Sequence, residues 1–115
     1  MSEHLEQCKL FELVWYNRLK YPLLNSMFAI PNGGMRNLKV AVKLKKEGVK
    51  AGVPDLFLPV PKKGFAGYFI EMKWGRNKPT PAQKNWLKDL KARGYKTDVF
   101  YSATKAFESL VAYIT

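Results

Sequence analysis

One helix in the second half of the chain constrains the fold more than any other feature. Thr80-Pro81-Ala82-Gln83 carries an N-cap threonine, a proline at the first helical position and a glutamine at the third, the pattern of a capping box. Trp86, Leu87 and Leu90 give the following turns a core face, and Gly94 closes them. Strand-like runs lie on either side, 67–74 before it and 97–101 after it. Two strands of one sheet joined through a helix run parallel. The run 67–74 is also joined to 55–60 by the short turn Pro61-Lys62-Lys63-Gly64, so these two make an antiparallel hairpin. The expected fold class is therefore α/β, a mixed sheet flanked by helices in the order α β α β β α β α. With 115 residues and no linker long enough to divide them, residues 1–115 are expected to form one domain.

The remaining elements are simpler to place. Residues 3–20 predict a helix, with Ser2 as N-cap and Glu3 and Glu6 in the first turn, where the helix dipole favours acids. Leu5, Cys8, Phe11, Trp15 and Leu19 recur at steps of three and four and are expected to be its inward face. Pro22 ends the element. Met27-Phe28-Ala29-Ile30 reads as a short strand, broken by the turn Pro31-Asn32-Gly33-Gly34. A second helix is expected over 36–47, closed by Gly48, and a last one over 104–114 with Phe107, Leu110, Val111 and Ile114 inward. Tyr16, Tyr21 and Phe28 are expected in the core.

Charge narrows the partner. Lys and Arg number 20 against 9 Asp and Glu, a formal net charge of +11. An excess of this size favours a polyanion, nucleic acid before an anionic membrane. The basic residues are spread over several elements rather than gathered on one amphipathic helix, which weakens the membrane reading. Arg36, Lys39, Lys43, Lys46 and Lys50 follow helical spacing with hardly any compensating acid, so they are read as a phosphate-facing surface rather than an ordinary solvated face. Arg76 and Lys78, in the loop after 67–74, are placed to grip phosphates in the same way. Cys8 is the one cysteine and His4 the one histidine, so neither an internal disulfide nor a zinc cluster is available. The first 25 residues hold no uninterrupted apolar stretch of the kind a signal peptide uses. A reducing intracellular setting is expected.

The chemistry concentrates in the hairpin. Alternation along Tyr68-Phe69-Ile70-Glu71-Met72-Lys73-Trp74 puts Tyr68, Ile70, Met72 and Trp74 on one face and Phe69, Glu71 and Lys73 on the other. Trp74 is expected in the core with the first set. A turn centred near Lys63–Gly64 sets Asp55 opposite Lys73 and beside Glu71 on the same face. A slip of one residue would break that meeting. Two carboxylates and an ammonium at one end of a hairpin suit Mg²⁺ or Mn²⁺, which take one or two carboxylates and complete their shell with water and substrate phosphate. The competing reading is a solvated Glu-x-Lys pair and a turn aspartate after proline.

The wider text carries a resemblance. Ser2-Glu3 with Gln7 four residues on, Ile30-Pro31-Asn32-Gly33-Gly34, Glu47-Gly48-Val49-Lys50-Ala51-Gly52-Val53-Pro54-Asp55-Leu56, Phe69-Ile70-Glu71-Met72-Lys73 and Pro81-Ala82-Gln83 followed by Trp86 resemble, in order and spacing, the VRR-NUC family of PD-(D/E)xK nucleases, in its stand-alone phage or bacterial branch. The resemblance implies a restriction-endonuclease-like fold of the kind found in archaeal Holliday junction resolvases. It implies a homodimer and Mg²⁺- or Mn²⁺-dependent endonucleolytic cleavage of DNA, branched DNA being the candidate substrate. Residue by residue, Asp55 and Glu71 match the metal-binding carboxylates, the Met72 main-chain carbonyl a further ligand, and Lys73 the catalytic lysine. Glu3 matches an amino-terminal helix acid that joins the metal, with Gln7 one turn further along. Glu6 competes with Glu3 for that part, and the capping box competes for Gln83. By the same resemblance the setting is the cytoplasm of a prokaryote or of a phage-infected host. Two other functions stay open at this point: a non-catalytic nucleic-acid-binding protein, and a restriction-type nuclease acting on linear duplex. The sequence has no Cys/His finger and no strong helix-turn-helix pattern, which favours recognition of DNA shape over base sequence.

Overall fold

The hairpin turns on two residues with positive φ, Lys63 at 52° and Gly64 at 84°. That is the backbone of a type I′ turn, whose twist matches the flanking strands. Lys62 and Phe65 exchange both main-chain hydrogen bonds across it, at 3.2 and 2.8 Å. Farther down, Leu58 pairs with Tyr68, Phe57 with Phe69 and Leu56 with Ile70. From Lys62 back to Leu58 is four steps, whereas from Phe65 on to Tyr68 is three. The first arm therefore holds one extra residue, in Pro59-Val60-Pro61, where the Val60 N–H bonds back to the Leu58 carbonyl at 2.9 Å. The two prolines have no N–H to give a ladder, which is why this stretch bulges. The register expected from sequence is corrected accordingly: carried one step past Leu56, it sets Asp55 opposite Glu71, not Lys73. The bulge decides the face. Counted from the tip without it, Asp55 would oppose Met72, on the wrong side of the sheet.

The computed structural model describes residues 1–31 and 37–115. Arg36 and most of the turn expected at 31–34 lie outside the described residues. Helix α1 spans Glu3–Tyr16, strand β1 Phe28–Ala29, α2 Leu38–Lys46, β2 Leu56–Leu58, β3 Tyr68–Met72, α3 Pro81–Ala92, β4 Lys96–Phe100 and α4 Ala103–Ile114, with a 3-10 turn at Pro22–Ser26 after α1. Among the described residues the sheet order is β1-β2-β3-β4, antiparallel for the first two pairs and parallel for β3 and β4. This is the mixed α/β sheet the helix at 81 demands. The capping box forms as read: the Thr80 side chain accepts from the Gln83 N–H at 3.2 Å, and the Gln83 side chain accepts from the Thr80 N–H at 2.8 Å.

The core lies on the side of the sheet that Leu56, Leu58, Tyr68, Ile70 and Met72 share, under α1 and α4. Tyr68 buries its ring there and keeps its hydroxyl satisfied, donating to Asp98 and lying 2.7 Å from the Ser109 hydroxyl. The other side carries Phe57 stacked on Phe69 at 4.2 Å, with Tyr95 edge-on to both.

Helix α1 corrects the sequence expectation most. Its buried residues are Glu6, Leu10 and Val14, at steps of four, while Leu5 and Trp15 of the expected stripe are exposed. Apolar residues ring this helix, so periodicity alone does not choose a side. The helix also stops at Tyr16, where the Asn17 N–H and side-chain amide both bond to the Leu13 carbonyl, so Leu19 is not on it. Tyr16, Phe28 and Trp74, expected inside, are exposed. Tyr21 is half-buried, edge-on to Phe107 on α4. No helix among the described residues is long and apolar enough to cross a membrane.

Candidate active site

Asp55 is fixed from both neighbouring strands. Its main-chain carbonyl accepts the Ile30 N–H at 2.7 Å, continuing the β1 ladder, and its side-chain Oδ2 accepts the Met72 N–H at 2.8 Å. The approach is equally constrained. Pro54 is fully buried, and Gly52, at φ +87°, lies so close to α3 that a Cβ there would sit 2.9 Å from the Ala82 main-chain carbon. Only glycine fits a left-handed conformation with that contact.

Glu71 faces Asp55 across the hairpin and is 1% exposed. Neither of its carboxylate oxygens meets a hydrogen-bond donor. Two carboxylates side by side bond to one another only through a proton. The pair shares it: the Glu71 pKa is pushed up to about 10, first by burial, next by the hydrogen bond and charge of Asp55, with Glu3 adding repulsion and Lys73 pulling the other way. Lys73 follows on the same face and is 6% exposed, its main-chain N–H bonded to the Phe100 carbonyl at 2.9 Å. The structure thus brings Asp55, Glu71 and Lys73 to one spot, with the Glu3 charge within reach.

The two first-turn acids of α1 separate cleanly. Glu6 is 4% exposed, and its Oε1 accepts the N–H of Ala103, the first residue of α4, at 3.0 Å. It holds the start of that helix, where the exposed N–H groups favour an anion. Sequence reasoning offered Glu6 only as a rival for the site; its signal was an acid on the 6-10-14 line that α1 buries. Gln7 is half-buried and lines a groove of about 640 Å³ with His4, Cys8, Phe11, Trp15 and Ala29. Gln83 is engaged in the capping box.

Burying Glu71 without a donor is costly unless something positive completes it. A divalent cation of the Mg²⁺ or Mn²⁺ type fits this donor set: such ions take oxygen ligands, one or two of them carboxylates, and complete their shell with water and substrate phosphate. Among the described residues no three His, Cys, Asp or Glu groups are gathered into a closed cage, so the built part is the Asp55–Glu71 pair. Lys39, Lys43 and Lys46 are exposed on α2, and Lys50, Arg76 and Lys78 are exposed in loops. The loop bearing Arg76 and Lys78 is tied down, because the Tyr101 hydroxyl donates to the Asn77 carbonyl at 2.8 Å.

Comparison with known proteins bears on the family and the fold. A sequence model of the VRR-NUC domain matches residues 6–104. A solved structure described as a VRR_NUC domain protein superposes with a TM-score of 0.81 at 30% identity, covering 99% of this chain and 88% of that one. No curated protein matches.

Proposed function

The chain belongs to the VRR-NUC family, a nuclease-type family, and from that membership and the site we propose that it is a Mg²⁺- or Mn²⁺-dependent endonuclease that hydrolyses phosphodiester bonds of branched DNA such as Holliday junctions. The observation that carries this reading is the meeting of Asp55, Glu71 and Lys73 around two buried carboxylate oxygens that no donor satisfies.

Asp55 and Glu71 would hold the metal, with the main-chain carbonyl of Met72, whose N–H already bonds to Asp55, as a further donor; Glu3, within electrostatic reach of Glu71, would join from α1. The bound ion supplies an activated water and neutralises charge at the scissile phosphate. Asp55 is presented in one orientation because Met72 and Ile30 fix it on both sides. As a ligand Glu71 would be ionised, its proton released to solvent on metal binding. Lys73, on the same face beside these groups, would orient the attacking water and stabilise the extra negative charge on the phosphate. Burial makes that interaction count for more than it would in water. Lys39, Lys43, Lys46 and Lys50 on one side and Arg76 and Lys78 on the other hold the DNA backbone, with Arg36 in the same role by sequence. Gln7 lines the α1 groove with Trp15 and Tyr16, so its place in the catalytic set rests on the family resemblance.

We further propose that the active form is a homodimer. Leu5, Trp15 and Tyr16 on α1 and Phe28 on β1 leave large apolar surface exposed. Residues 1–17 carry Glu3, Glu6 and Glu12 against Lys9, a net −2, whereas the remainder carries 19 basic and 6 acidic residues, a net +13. Two strongly basic chains approach at least electrostatic cost through this region. A symmetric pair also supplies two cutting sites to a two-fold junction.

The test is cleavage of a four-way junction and of a linear duplex of the same sequence, each with Mg²⁺, Mn²⁺ and EDTA. Junction arms cut with either metal, and Asp55→Ala binding without cutting, support the reading. Equal cutting of linear duplex would favour a restriction-type nuclease. Binding without cutting under every metal condition would make it a non-catalytic DNA-binding protein.

A further inference from the structure

Helix α2 carries apolar surface where a stable fold has no use for it. Val40, Ala41 and Leu44 are its half-buried residues, and they share one side. Leu38 and Val42, one turn apart, face away from them and are 79% and 44% exposed. Lys45 flanks this ridge on one side, and Lys39, Lys43 and Lys46 on the other. Leu38, Val42 and the last three lysines line a shallow groove of about 450 Å³. The helix buries no residue fully, yet it is well formed, with the Asn37 side chain accepting the Val40 N–H at 2.9 Å.

An apolar ridge between lysines fits a ligand with an apolar centre and an anionic frame. A second copy of this chain does not qualify, since residues 37–50 hold five lysines and one acid and two such faces repel. A membrane surface calls for a broader apolar face than two side chains provide. Unstacked bases between phosphates have both features: apolar side chains wedge against opened base steps while cations hold the backbone. Opened steps are found at the branch point of a junction and are absent from intact duplex. The chain length agrees. Lys46 and Asp55 are nine steps apart in the chain, so the end of α2 lies within about 30 Å of the carboxylates. That is about one turn of duplex.

Resting on the nuclease reading above, we infer that Leu38 and Val42 form a wedge that packs against unstacked bases at a branch point and gives the protein its preference for branched DNA. The test is binding in EDTA, so that it does not depend on cleavage. A four-way junction carries 2-aminopurine at the branch point, and a linear duplex of the same arm sequence serves as reference. The wild-type chain is expected to bind the junction more tightly and to raise the probe's fluorescence. Leu38→Ser combined with Val42→Ser, both on exposed positions, is expected to lose about ten-fold in junction affinity and the fluorescence change, with duplex affinity held within about two-fold. Lys39→Gln with Lys43→Gln is expected to weaken both DNAs alike and to flatten the salt dependence by about two. The inference is overturned by a wild type that does not prefer the junction. It is equally overturned by a double serine variant that keeps the preference, or that weakens both DNAs equally. Sedimentation or phosphatidylserine-vesicle binding that depends on Leu38 and Val42 would reassign the ridge to a second copy or a membrane and also overturn it. A chain that cuts junctions but fails this test keeps the nuclease reading and loses only the wedge.

Discussion

The end of β3 and the outer side of α2 break the same rule in opposite directions. At β3 the protein buries ionisable groups, with Glu71 and Lys73 inside and both Glu71 oxygens lacking a donor. At α2 it exposes Leu38 and Val42, which a stability-driven sequence would make polar. Each departure costs folding free energy or solubility, and on the readings proposed above each is arranged for a ligand: a cation in one case, an apolar and anionic surface in the other. The difference lies in support. The buried groups are held by the hairpin register, the Gly52–Ala82 contact and the hydrogen bonds of Asp55, while α2 rests lightly on the body. Damage should therefore travel through the fold at the first region and stay local at the second.

The largest expected effect comes from deleting Val60. Removing the extra residue of the hairpin arm either moves Asp55 to the other side of the sheet or forces the arm to repack, and cleavage is expected to fall by about 10³ or more. The deletion also removes the carbonyl that accepts the Tyr113 hydroxyl at 2.6 Å. Val60→Ala, which keeps the count and that carbonyl, should retain activity; if the deletion cleaves junctions as well as Val60→Ala does, the register argument fails.

Next in size is Gly52→Ala. A Cβ at φ +87° and 2.9 Å from Ala82 is expected to cost about 1–3 kcal/mol in urea unfolding and to lower cleavage by displacing Asp55. Gly48→Ala shares the positive φ but has open space around it, so the gap between the two variants measures the Ala82 contact.

A smaller effect is expected with pH. Glu71 ionises near 4.5 in an open chain and near 10 in the folded, metal-free protein. Between those values the folded state binds more protons than the unfolded state, so this group's contribution to stability falls as pH rises. Metal-free protein should lose thermal stability from pH 5 towards pH 9 through this residue, and Glu71→Gln should flatten the decline. Mn²⁺ should restore more stability at the upper end. A decline of equal slope in wild type and Glu71→Gln would assign it to other groups.

The smallest effect belongs to α2. Leu38→Ser with Val42→Ser should change unfolding free energy by no more than about 0.5 kcal/mol per site, as for other exposed positions. A loss of several kcal/mol would mean the ridge is structural and the contrast between the two regions false.

How much of this was legible in the sequence follows from how local each cause is. Asp55, Glu71 and Lys73 were found because strand alternation and residue type are local, and because parity alone put them on one face. The exact register was not, since nothing short of the fold tells how many residues Pro59-Val60-Pro61 absorbs. The inward side of α1 was misread because its apolar residues surround it. The part played by Glu6 was out of reach, since its partner Ala103 lies 97 residues away. The helix at 81–92 was read nearly to its ends because its caps are written in the adjacent residues.

Titrating Mn²⁺ into wild type and Glu71→Gln by calorimetry, with junction cleavage followed on the same samples, tests the pair of carboxylates most directly. Saturable binding and cutting by the wild type, both lost in the variant, is the expected result. Equal Mn²⁺ binding by the two proteins, or cutting that survives the substitution, would contradict it.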